Sequence, residues 1–170
     1  MEDLGSLGVK IRRDVSIQLF PFTEFFHGFE NVQGIRALFG EKTAEVLNNL
    51  RIEFYSAHFG YMSVSEEDGH ILVSAYHLRT SDPIVIYLDI FHELHHVKQF
   101  MDGKALFLTE FEYVDSPIEL EAYLATVREA RRIGMNEEKI LEYLKIEWLT
   151  EEQLYRLAKS VGLETKQKGI

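Results

Sequence analysis

Residues 84 to 101 form the longest apolar stretch of the chain. Ile84, Val85, Ile86, Tyr87, Leu88, Ile90, Phe91, Leu94, Val97, Phe100 and Met101 leave almost no polar face. A helix that is apolar all round is a buried one. Its ends are also written locally. Asp82 is suited to the N-cap with Pro83 in the first helical position, and Gly103 follows Asp102 as a stop. Asp89, Glu93, Lys98 and three histidines interrupt the run, which rules it out as a transmembrane span.

The flanking pattern predicts an α+β chain. Val9 to Phe20 reads as a strand or a short helix punctuated by Pro21, while Phe22, Phe25, Phe26 and Phe29, spaced by three and four, read as core or groove lining. Gly34 and Gly40 break this segment. Glu41 to Leu50 follows as a short helix with Ala44, Val46, Leu47 and Leu50 inward. A β-hairpin is expected next, from a strand over Ile52 to Val64, a turn at Glu66-Glu67-Asp68-Gly69 and a return over residues 70 to 78. Residues 104 to 115 are a connector with strand character around Ala105 to Tyr113. Three helices close the chain. One runs from Pro117 to about Ile133, one is capped by Asn136 and runs to about Lys145, and one opens on a Thr150/Gln153 capping box and runs to about Val161. Glu164 to Ile170 reads as a frayed tail. With no repeat or low-complexity linker, 1–170 is expected to be a single domain.

Composition narrows the chemistry. The chain has no cysteine, so it builds neither a disulfide framework nor a thiolate metal cage. A net charge of −10 argues against a general nucleic-acid binder, which needs Lys and Arg to neutralise phosphates. Arg128, Arg131 and Arg132 do cluster, but with Glu129 among them they read as a solvated helix face. The N-terminus shows no basic-then-apolar secretory pattern, so a cytoplasmic location is the expectation.

Within the buried helix lies His92-Glu93-Leu94-His95-His96. Positions i and i+4 share a helix face, so His92 and His96 can aim their imidazoles at one Zn²⁺. Glu93 lies about a third of a turn from His92 and can take a proton from water on the metal without being a ligand. Seven His among 170 residues leave room for chance, so the capped helical setting carries the case.

A catalytic zinc usually takes three protein ligands and leaves a fourth position for water. Glu119 and Glu121 are both candidates for the third, and they lie about 200° apart on the helix after Pro117. Glu119 shares its face with Ala122, Tyr123, Thr126, Ala130 and Ile133, whereas Glu121 shares its face with Arg128 and Arg132. Periodicity therefore favours Glu119. The competing role is local, because Ser116-x-x-Glu119 also has the form of a capping box.

These residues resemble the gluzincin branch of the zincin metallopeptidases, in which His-Glu-x-x-His is followed by a helix bearing Glu-x-x-Ala-Asp or Glu-x-x-Ala-Asn. Here Glu119-Leu120-Glu121-Ala122-Tyr123 aligns with that motif, with Tyr123 in the Asp/Asn position. The likeness covers roughly residues 70 to 130 and is similar to small cytosolic ImmA/IrrE-like peptidases, although their Leu-Leu-Met-Pro-like helix ending is missing. It implies a zincin-like fold, with a small antiparallel sheet against a buried His-Glu-x-x-His helix and further C-terminal helices. It also implies a zinc-dependent peptidase acting on a peptide or protein substrate, with His92, His96 and Glu119 as ligands and Glu93 as the base. Extended substrates commonly add to the edge of the strand beside such a helix. A non-catalytic regulatory or interaction domain on the same scaffold is the alternative.

Further groups could serve the site. Asp89, one turn ahead of His92, could orient a ligand imidazole or make the helix's own polar contacts. His77, Tyr76, Tyr113 and Tyr123 are candidate donors to an oxyanion, each with a structural alternative. His95 reads as a supporting or packing residue, and His27, His58 and His70 fit no pattern.

Overall fold

The computed structural model describes residues 3–58 and 60–163. It is mixed α and β, and the described residues form two compact units, one within Glu2–Leu106 and the other within Phe107–Ile170. The expected tail from Glu164 lies outside the described residues.

The first unit begins with strands β1 (Lys10–Ile11) and β2 (Leu19–Pro21), helix α1 (Phe22–Phe25) and strand β3 (Phe26–His27). Val9 to Phe20 is thus two short strands with no helix. Pro21 ends β2 on the sheet edge, where its missing N–H costs no ladder bond. Phe22, Phe25, Phe26 and Phe29 are completely buried core, with Phe25 against Phe54 and the other three against one another, and Phe26 also lines a pocket beside Leu47. Next come α2 (Gln33–Phe39) and α3 (Thr43–Asn49). Gly34 sits in the first turn of α2 and does not break it; Gly40 does end it. On α3 the buried residues are Thr43 and Leu47, with Leu50 buried just past its end and Ala44 exposed. Thr43 is tolerated inside because its hydroxyl donates to the Gly40 carbonyl at 2.6 Å.

The expected hairpin is only partly realised. Strand β4 (Arg51–Tyr55) ends well before β5 (Met62–Val64), and β5 turns back into β6 (Ile71–Ser74). The sheet order is β2-β4-β6-β5, with β6 parallel to β4 and antiparallel to β5. The small sheet is therefore mixed rather than antiparallel. Ile71, Val73 and Ser74 are fully buried, which suits β6 to the interior position between β4 and β5. The return strand stops at Ser74 because its hydroxyl accepts from the His77 amide, starting helix α4 (Ala75–Thr80) in place of more strand.

Helix α5 (Pro83–Met101) then carries the apolar run, with the Asp82 side chain accepting from Ile84 N–H at 2.8 Å. The β5–β6 turn rests on its C-terminal part. Gly69 has φ +78°, and a Cβ there would lie 2.5 Å from the Phe100 ring. Gly69→Ala is expected to destabilise the fold by about 1–3 kcal/mol, through backbone strain and an overpacked contact. Chemical denaturation that left the midpoint unchanged would show that the turn does not bear on α5.

The residues around Ala105 to Tyr113, which run from the end of the first unit into the second, form no strand; in the second unit a 3-10 turn at Tyr113–Asp115 leads into α6 (Pro117–Arg132). Lys104, Ala105, Phe107 and most of the following side chains are exposed, and the described residues from Phe107 onward contain no strand. Helices α7 (Glu137–Leu144) and α8 (Glu151–Ser160) follow, opened by Asn136 and by the Thr150/Gln153 capping box. Arg131 pairs with Glu137, and Arg132 with Glu129, so the basic cluster is largely neutralised within its own unit. No described helix is long and apolar enough to cross a membrane.

Candidate metal centre

On α5, one turn places His92 and His96 side by side. Their Nε2 atoms are 3.0 Å apart, and the two residues are only 5% and 6% exposed. Two imidazoles sharing one tetrahedral ion would hold those nitrogens about 3.3 Å apart, given metal–nitrogen bonds near 2.05 Å. The observed pair is within a few tenths of an ångström of that spacing. The His96 ring is also oriented from behind. Its Nδ1–H donates to Gln99 Oε1 at 2.7 Å, which makes Nε2 the nitrogen that carries the ring's lone pair.

Gln99 was not singled out from the sequence. The signal available was a lone amide in an apolar helix, three positions after a candidate ligand, and the residue is buried. Gln99→Leu removes the acceptor while keeping the bulk, and metal affinity is expected to fall about 10–100-fold. Competition with a chromophoric chelator measures this, and an unchanged affinity would make Gln99 a packing residue.

Glu93 follows His92 and is itself buried. Its charge reaches Tyr55, at the end of β4. Burial first, and the Glu93 carboxylate second, raise the Tyr55 phenol above its ordinary range and keep it protonated. Tyr55 was invisible to sequence reasoning, since the pairing that brings β4 near α5 is non-local.

Asp89 has a partner that periodicity did not suggest. Its Oδ2 accepts from His77 Nε2 at 2.7 Å, so its partner is a histidine of α4. His77 itself is buried, stacked on Tyr61 and bonded to Ser81, so it is a member of that network. Tyr76 is about half exposed beside His58. His95 points back along its own helix, with Nδ1 donating to the Phe91 carbonyl at 2.9 Å, as a packing residue does. His70 bridges Asp68 and Glu53 on the surface, and His27 is exposed on β3.

On α6, Glu119 is 8% exposed and Glu121 is exposed, as the apolar face implied. Ser116 occupies the N-cap position, but its side chain makes no capping bond and its backbone N–H donates to Tyr113 instead. The capping box that would have claimed Glu119 is not formed. Tyr123, one turn after Glu119, shares a hydroxyl–hydroxyl bond of 2.9 Å with Tyr113.

The ligand atoms of His92, His96 and Glu119 all lie within 4.8 Å of one another, and all three residues are buried. Two neutral imidazoles and one carboxylate make a suitable donor set for a divalent ion, and this group could hold one. A buried carboxylate with two buried imidazoles is otherwise costly, which a shared cation offsets. Comparison with protein-family models, with curated proteins and with solved structures found no match to this chain.

Proposed function

We propose that the protein is a zinc-dependent peptidase of zincin-like construction, with His92, His96 and Glu119 as ligands and Glu93 as general base. The observation that carries this reading is the convergence of two imidazoles and one carboxylate, all buried, with a second buried carboxylate directly after the first histidine. Zinc is favoured because the chain has no thiolates and the donor set is of the kind found at catalytic zinc.

When bound, the ion would acidify water and polarise the scissile carbonyl. The chain's own residues do the rest. Glu93 accepts the proton of the attacking water and then delivers it to the departing amine, so one carboxylate serves both halves of the reaction. Gln99 fixes which nitrogen His96 presents. The gluzincin resemblance, with Glu119-Leu120-Glu121-Ala122 aligned to the family's ligand helix, supports the same assignment.

The test is digestion of a complex peptide mixture by protein purified without added metal, then loaded with zinc, with product ends read by mass spectrometry. New termini that appear with zinc and vanish with chelator support a peptidase. A stoichiometric metal with no cleavage of any peptide would favour the non-catalytic scaffold, and no metal uptake would remove the centre altogether.

A further inference from the structure

Ser81, His77 and Asp89 form a second constellation where α4 meets α5, and it uses none of the candidate ligands. Ser81 Oγ is 2.8 Å from His77 Nδ1, and His77 Nε2 is 2.7 Å from Asp89 Oδ2. The protonation pattern follows from the partners. A carboxylate can only accept, so Nε2 carries the proton and points it at Asp89. In the neutral ring Nδ1 then keeps a lone pair, and the Ser81 hydroxyl must donate to it. Nucleophile, base and orienting carboxylate are thus arranged in the order that activates a serine, with the base held in the required tautomer.

The surroundings strengthen the arrangement. His77 is buried and lies flat against Tyr61, with ring centres 4.4 Å apart and 29° between planes, which fixes its rotamer. Ser81 is only partly buried, at the junction of α4 and α5. Arg13 reaches the same junction, where Nη2 donates to the Ser81 carbonyl at 2.7 Å and Nη1 to the Arg79 carbonyl at 3.4 Å. These two bonds hold the backbone of the junction, and with it Ser81, in place.

The geometry points to Ser81 as an activated, metal-independent nucleophile that takes the acyl group of a small ester. In that step Ser81 Oγ bonds to the carbonyl carbon and its proton passes to His77 Nδ1. The ester C–O bond then breaks, and His77 returns the proton to the leaving alkoxide. Water attacks the acyl-serine by the same route in reverse, giving the acid and restoring the hydroxyl. Asp89 acts as a positioning residue by holding the tautomer.

The experiment is labelling of the intact chain with a fluorescent fluorophosphonate, with the adduct located by peptide mass spectrometry. The expected result is one adduct, on Ser81, unaffected by EDTA and absent in Ser81→Ala. His77→Gln should slow labelling at least 100-fold. Asp89→Asn, which keeps the shape but favours the wrong tautomer, should slow it at least tenfold and serves as the deciding variant if His77→Gln does not fold. Ser81→Ala should bind zinc as the parent does, so loss of the peptidase reading leaves this result standing, and the reverse. No adduct on Ser81, labelling abolished by EDTA, or labelling undiminished in whichever of these two variants folds would overturn the assignment.

Discussion

Glu93→Gln is expected to retain stoichiometric metal and to slow peptide hydrolysis by about 10²–10⁴-fold, which is the range ascribed to a positioned general base. That loss corresponds to about 2.7–5.4 kcal/mol of transition-state stabilisation. Gln is nearly isosteric with Glu, so the packing of a buried position on α5 is preserved. It can still donate or accept a hydrogen bond, but it cannot take a proton from water and return it to an amine. The loss should fall on kcat, with KM little changed, because the proton transfer belongs to the transition state and not to substrate binding. Tyr55 provides an internal check on the same substitution. Part of what raises its phenol is the Glu93 charge, so its titration should move back toward the ordinary range when that charge is removed. Hydrolysis at the parental rate, alongside a shifted Tyr55 titration, would show that Glu93 is ionised and near the site yet is not the base.

How legible this site was depends on how local its determinants are. The α5 helix could be bounded because Asp82, Pro83 and Gly103 act within a few residues of its ends, and the same holds for Asn136 on α7 and the Thr150/Gln153 box on α8. His92 and His96 were legible because helical period alone puts them together. Glu119 was harder, since two local roles competed for it. The Ser116 hydroxyl could have taken part in a box, and nothing in its spacing reveals that it does not. The sheet was least legible. Ile52 to Val64 has strand composition throughout, but pairing is set by partners distant in sequence, and β6 inserts between β4 and β5 because its residues are the most completely buried. The end of β6 turned on a single hydroxyl, that of Ser74, which starts a helix where alternation suggested continued strand. Gln99 and Tyr55 were missed for the same reason, since each matters through what it meets in space.

The ligand assignment is decided by a set of four substitutions. His92→Ala or His96→Ala should abolish stoichiometric metal, because each removes one of two adjacent imidazoles and leaves a pair of donors at best. Glu119→Ala should lower zinc affinity by more than the 10–100-fold that losing a supporting hydrogen bond costs, because it removes a ligand and not a support. The alternative for Glu119 makes a different forecast. A capping-box partner would cost about 0.5–2 kcal/mol of stability when removed and would leave the metal in place. The uncapped Ser116 side chain already points away from that outcome, and it implies that any stability lost without metal should be small. Glu121→Ala is the control, since the residue is exposed and should change neither quantity. Isothermal titration with zinc, paired with thermal unfolding of the metal-free proteins, separates the two effects. Zinc loss confined to Glu121→Ala would require α6 to present its opposite face to the ion, which its buried residues Ala122, Tyr123, Thr126 and Ala130 oppose, and the assignment of Glu119 would then fail.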